Sequence, residues 1–172
     1  INAAVGVGHS LGEITALHWA GSIDESSLLR IARVRGRAMA EVEGPLGAML
    51  SVAADWQAVQ EVLNGERVVV AGLNSPLQTV LSGEAVEINT VARRAEMRGL
   101  HTTLLRVSHA FHSSLVAPAG THLYAQLERE EFGPLDRKVF STVTGEHLNG
   151  NTDLRVLLRE QVTSPVRFMD AV

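Results

Sequence analysis

The chain has 172 residues, 45% of them hydrophobic, and fifteen cations against nineteen acids give a formal net charge of −4. That is enough apolar material for a core and a length suited to one domain, or one domain with a small insert. The cations are almost all arginine, Lys138 being the only lysine, and they are scattered, so the concentrated basic face of a nucleic-acid reader is missing. Cysteine is absent, which excludes disulfide frameworks, thiolate metal sites and a cysteine nucleophile and suits a reducing cytoplasm. No apolar run approaches the roughly 20 residues of a membrane span.

In chain order, Ala3 to Val7 reads as a buried strand and Leu11 to Ala20 as a short helix ended by Gly21. Ser22 and Asp24 are N-cap candidates for a second helix that runs to about Val42 and stops before Gly44-Pro45. Ala48–Val52 is expected as a strand and Asp55–Leu63 as a helix. Val68–Ala71 and Thr79–Leu81 then read as strands, Glu84–Arg98 as a helix and Thr102–Val107 as a strand. This β-α-β-β-α-β order is that of a ferredoxin-like unit. A helix at Pro118–Glu131, a strand at Val139–Val143 and a helix at Asp153–Gln161 complete the pattern. The expected fold class is α/β: an α/β hydrolase-like body of residues 1–45 and 108–172, interrupted by a ferredoxin-like subdomain at 46–107. The chain opens inside its first strand without an initiator methionine or targeting segment, so it reads as a piece of a longer protein.

Gly8-His9-Ser10-Leu11-Gly12 lies between the first strand and the first helix. In Gly-x-Ser-x-Gly the serine sits on a sharp strand-to-helix turn, and glycines on either side relieve backbone crowding. The hydroxyl is then exposed at a helix N-terminus, where the Leu11 N–H can donate to a developing oxyanion. A plain tight turn with a solvated serine is the alternative.

A serine hydroxyl needs a base to become a useful nucleophile. His18, His122 and His147 fall in helical or turn contexts and read as surface residues. Ser108-His109-Ala110-Phe111-His112-Ser113 instead follows the last strand of the small subdomain, where the chain returns to the body over the cleft. Spacing does not choose between His109 and His112.

The second helix carries an apolar stripe of Leu28, Ile31, Ala32, Met39 and Val42, and Arg35 falls in its middle. Arg30, Arg33 and Arg37 read as solvated charges. An inward guanidinium is costly unless paired with an anion, and it suits two-pronged recognition of a carboxylate. No acid lies at helical spacing on the same stripe, so a substrate carboxylate is one candidate partner. A structural ion pair with a distant acid is the other.

Ser10, the histidine cluster and Arg35 together resemble the malonyl-CoA:acyl carrier protein transacylase family over essentially the whole chain, most closely the acyltransferase domains of type I polyketide synthases. Gly8-His9-Ser10-Leu11-Gly12-Glu13 is similar to its nucleophile motif, and Arg35-Gly36-Arg37-Ala38-Met39 to its arginine segment. The resemblance implies Ser10 and His112 as catalytic residues and Leu11 as oxyanion donor. It implies Arg35, His9, His109, Phe111 and Asn74 as substrate-binding, with Asn74 and Gln161 positioning the base. His109-Ala110-Phe111-His112 resembles the variant associated with malonyl rather than methylmalonyl selectivity, phenylalanine leaving less room for an α-methyl group. The phrases at 12–19 and 163–168 look most like iterative synthases of the enediyne type.

The implied reaction is ping-pong: a malonyl-serine ester forms from malonyl-CoA and passes to the phosphopantetheine thiol of an acyl carrier protein. No metal or tightly bound cofactor is implied, and a neighbouring ketosynthase domain is the expected context. The family's second oxyanion donor comes from a glutamine upstream of the serine, before this chain begins, so the 172 residues alone are expected to be inactive or poorly soluble. A serine hydrolase or thioesterase, and a catalytically incomplete docking domain, are the rival readings.

Overall fold

The computed structural model describes residues 3–172. Strand β1 (Val5–Gly8) leads into helices α1 (Gly12–Trp19) and α2 (Glu25–Ala40). Strand β2 (Gly47–Val52), helix α3 (Trp56–Gln60), strands β3 (Val68–Ser75) and β4 (Gln78–Glu84), helix α4 (Ala85–Met97) and strand β5 (Thr102–Leu104) follow. A 3-10 turn at Ser114–Val116 enters helix α5 (Ala117–Leu127), and strands β6 (Lys138–Ser141) and β7 (Glu146–His147), helix α6 (Leu154–Glu160) and a 3-10 turn at Phe168–Ala171 complete the fold.

Two sheets result. In the first, β1 lies parallel to β6, with Val5 opposite Lys138 and Gly8 opposite Ser141, and β7 is antiparallel on β6. The second has the order β3-β4-β2-β5 with every pair antiparallel, the arrangement of a ferredoxin-like sheet. The architecture is therefore α/β, an α/β hydrolase-like layer joined to a ferredoxin-like one.

Each layer has its own core. Ile14, Leu17, Ile31, Leu123, Leu127 and Leu158 fill the space between α1, α2, α5 and α6. Leu50, Leu81, Ile88, Val91 and Ala95 pack the second sheet against α4, with Val59 from α3. Asp24 is the N-cap of α2, its side chain accepting from the Ser27 N–H at 2.7 Å, so the helix begins after Asp24 and not after Ser22. The extended strap at 164–167 stitches the layers together. The Val166 N–H donates to Ala71 O (2.9 Å) and its carbonyl accepts from the Leu73 N–H (2.8 Å), while the Arg167 N–H donates to Thr142 O (2.8 Å).

Several elements differ from the sequence expectation. Helix α3 stops at Gln60 and α5 at Leu127, each passing into a turn closed by short backbone bonds such as Glu130 N–H to Leu127 O. Strand β5 covers only Thr102–Leu104; the Leu105 N–H still donates to Met49 O at 2.9 Å, and Leu105 and Val107 line a cavity between the layers. Strand β6 ends at Ser141, and the two-residue β7 was not foreseen. His18 is half-buried, with Nδ1 on Ile23 O at 2.9 Å, and is not a surface residue as expected. Arg30 is not simply solvated: its Nε and Nη2 grip the buried Glu130 carboxylate at 3.0 and 2.8 Å.

Candidate active site

Ser10 occupies the turn between β1 and α1 with φ of 52°, and His112 has φ of 58°. Among the described residues these are the only non-glycine residues with positive φ. A side chain there is strained, and strain of this kind persists where surrounding structure enforces it. The two residues are hydrogen-bonded to each other, Ser10 Oγ lying 2.8 Å from His112 Nε2.

The flanking glycines are not equivalent. A Cβ on Gly8 would collide with the Gly12 carbonyl group and the Glu13 nitrogen, so glycine is required there. A Cβ on Gly12 would meet nothing within 4 Å, so the expectation that both glycines relieve crowding holds only for Gly8. Leu11 N–H donates no hydrogen bond among the described residues and lies at the start of α1, where the helix dipole favours negative charge.

His112 is buried and its Nδ1 lies 2.8 Å from Ser164 O. A carbonyl can only accept, so Nδ1 carries the proton and the bare Nε2 faces the Ser10 hydroxyl. Burial pushes the imidazole pKa down to about 4, against an upward pull from the Ser164 carbonyl, with the Arg35 and His9 charges adding to the depression. The ring is thus neutral at physiological pH.

Arg35 is also buried, on α2. Its Nε donates to Gln161 Oε1 (3.0 Å) and one terminal nitrogen to Ser10 Oγ (3.3 Å). No ion pair among the described residues includes it. Burial lowers its pKa to about 10, so it stays a cation. Gln161 Nε2 also approaches Ser10 Oγ, at 3.4 Å.

These groups line a cavity of about 350 Å³ between the two layers. The body contributes His9, Ser10, Arg35, Met39, Phe111, His112 and Val166, and the second sheet Met49, Ala71, Gly72, Asn74 and Val80. The polar groups cluster at Ser10 and the remaining wall is mostly apolar.

Some expected residues lie elsewhere. His109 bonds Ser108 Oγ at 2.8 Å and lines a separate small cavity near Pro45, away from Ser10. Asn74 lines the site, but its Oδ1 accepts from His9 Nε2 (2.9 Å) and not from His112, because β3 faces His9 across the cleft. The side chain of Gln161 is turned to Arg35 and Ser10, its backbone also acts on His112, and the base is held mainly by the Ser164 carbonyl three residues on. Ser164 was not singled out from sequence, since a backbone acceptor leaves no side-chain signature.

The fold and this geometry define an α/β protein with a serine on a strand-to-helix elbow, a histidine from the segment after β5 bonded to it, and a buried cation beside the pair. A family model for the acyl transferase domain matches residues 1–172, and the chain belongs to that family. It is 34% identical over 175 aligned positions to a malonyl CoA-acyl carrier protein transacylase of Bacillus subtilis, covering 96% of this chain and 55% of that protein. Among solved structures it is similar to the acyltransferase domain of the iterative polyketide synthase in enediyne biosynthesis, with 40% identity and a TM-score of 0.95 over 99% of this chain and 46% of that one. It is also similar to a malonyl-transacylase solved in complex with its type II PKS acyl-carrier protein, with 31% identity and a TM-score of 0.87 over 98% of this chain and 57% of that one. The chain spans about half the length of the transacylases it matches.

Proposed function

We propose that this chain forms the catalytic centre of an acyltransferase domain that moves a malonyl group from malonyl-CoA to an acyl carrier protein. The observation that carries the reading is Arg35: a buried guanidinium with no carboxylate partner among the described residues, beside a serine already paired with a neutral base. A buried cation left unpaired is expensive, and a substrate carboxylate would complete it through parallel hydrogen bonds.

In this reading His112 Nε2 takes the Ser10 proton as Oγ attacks the thioester carbonyl, and the imidazolium is steadied by Nδ1–H on Ser164 O. The Leu11 N–H receives the developing oxyanion. The C–S bond breaks and the CoA thiolate takes the proton from His112, leaving malonyl-Ser10. The phosphopantetheine thiol of the carrier then attacks the ester with His112 again as base, regenerating Ser10. Phe111 and the apolar wall from Met49, Ala71 and Val80 limit the space around the malonyl α-carbon, which favours malonyl over methylmalonyl. His9, hydrogen-bonded to Asn74, borders the mouth of the site.

The carrier protein as partner is supported by the solved complex of a relative with its acyl-carrier protein. A neighbouring ketosynthase domain, a cytoplasmic setting and a division into residues 1–45 with 108–172 and an inserted 46–107 belong to the same reading. The hydrolase rival expects a carboxylate on the base. The acceptor at His112 Nδ1 is a backbone carbonyl, which favours transfer.

Arg35→Ala in the full-length protein tests the clamp. Acylation by malonyl-CoA should fall on the order of 10²-fold while acylation by acetyl-CoA changes little, the size of a lost charge-assisted pair. Equal losses with both thioesters would remove the carboxylate from the argument.

A further inference from the structure

Directly behind the elbow, Glu13 on α1 is fully buried, and no ion pair among the described residues includes it. One carboxyl oxygen accepts from the Thr142 N–H (2.6 Å) and lies 2.8 Å from Thr142 Oγ1, with Ser141 Oγ at 3.3 Å. The other oxygen is buried without a partner. Thr142 Oγ1 also lies 2.8 Å from the carbonyl of Gly8, two residues before Ser10.

The protons around Thr142 can be counted. Its hydroxyl has a single hydrogen, and both the Gly8 carbonyl and an ionised Glu13 would be pure acceptors. An ionised Glu13 would therefore leave one of the two 2.8 Å contacts as a clash of lone pairs, besides burying a charge with no cation beside it. A protonated Glu13 satisfies both: its O–H donates to Thr142 Oγ1, which donates to Gly8 O. The Thr142 hydroxyl and N–H, the Ser141 hydroxyl and the Val143 backbone are the polar groups that act on the carboxyl. Burial raises its pKa, and the Thr142 and Ser141 hydrogen bonds only partly offset this.

The geometry points to Glu13 as a neutral carboxylic acid and a positioning residue that fixes Ser10 against His112 through Thr142. Toward Ser10 the chain of bonds runs Glu13, Thr142, Gly8 and around the strained turn. Toward His112 it runs from the Thr142 carbonyl to the Arg167 N–H and along the strap to Ser164, whose carbonyl holds Nδ1. Glu13 touches neither substrate nor reacting atoms. Its kinetic consequence rests on the acyltransfer reading above, whereas its protonation does not.

Infrared difference spectra of the full-length protein, wild type against Glu13→Gln at neutral pH, test the protonation without turnover. A carboxylic-acid C=O stretch present only in the wild type and shifted in heavy water is expected; a carboxylate band in its place overturns the proposal. In acylation kinetics, Glu13→Ala and Thr142→Val should each lower kcat about 30-fold with KM little changed, as two buried hydrogen bonds are lost. Glu13→Gln, which keeps a neutral donor and acceptor, should lose only about threefold. A folded Glu13→Gln as slow as Glu13→Ala, or a Thr142→Val at full rate, contradicts the positioning role. Should Glu13→Ala fail to fold, the spectrum and Thr142→Val still decide.

Discussion

The β1–β6–β7 layer brings strained backbone, a neutral imidazole and an unpaired guanidinium to the cavity, whereas the four-stranded sheet offers the same space Met49, Ala71, Val80 and one amide, Asn74. The body layer concentrates polar groups whose arrangement is costly by itself. The second sheet is antiparallel throughout and well packed, with register shifts in β3 between Val70 and Gly72 and between Leu73 and Ser75 where it borders the cavity, and its contribution is shape. Chemistry and shape are thus separable: loss of Ser10 or His112 should abolish turnover and loss of Arg35 should cost the acyl carboxylate its clamp, whereas damage to the sheet-facing wall should change how bulky an acyl group is accepted.

The largest effect that would break this division is at the base. His112→Ala should reduce acylation of Ser10 by roughly 10⁴-fold, measured by single-turnover release of CoA. Gly8→Ala should prevent folding or leave an inactive protein, since its Cβ would strike the Gly12 backbone, whereas Gly12→Ala has open space. In a thermal melt Gly12→Ala should be neutral or gain up to about 1 kcal/mol from helix propensity. If both substitutions behave alike, the crowding argument at the elbow fails.

At the wall, Phe111, a body residue packed against Met49, Ala71 and Val80 of the sheet, is the test: Phe111→Ser should narrow the preference for malonyl over methylmalonyl by about tenfold in kcat/KM and leave the chemistry intact. A large fall in kcat for both thioesters would show that shape and chemistry are not separable there.

The smallest effect concerns pH. Because His112 is buried neutral, its pKa of about 4 should place the acid limb of kcat/KM well below the ordinary histidine value near 6.5. The sign for stability is the same: between those values the unfolded chain binds the extra proton, so this contribution is complete above about 6.5 and lost as pH falls toward 4. A limb at 6.5 would mean the base is solvated.

The contrast between the layers also governs what could be read in advance. Arg35 stood out because a charge interrupted the helical period of α2, and burial bears out its inward direction. The ferredoxin-like order was legible because alternating strand and helix patterns carry it. His109 and His112 could not be separated by spacing, since the difference lies in the turn that gives His112 its positive φ. Ser164 acts through a backbone carbonyl, Thr142 through its hydroxyl and backbone, and Glu13 entered the sequence reading only as the last residue of the serine motif. Such roles depend on segments far apart in sequence meeting near Ser10, Glu13 and Thr142 being 129 residues apart and His112 and Ser164 52, and no local pattern encodes that meeting.

Intact-mass analysis of the full-length protein mixed with malonyl-CoA, followed by peptide mapping, tests the central claim most directly. The account predicts a malonyl adduct on Ser10 that is discharged by holo carrier protein and is missing in Ser10→Ala. An adduct on another residue, free malonate released without an acceptor, or no adduct at all would contradict it.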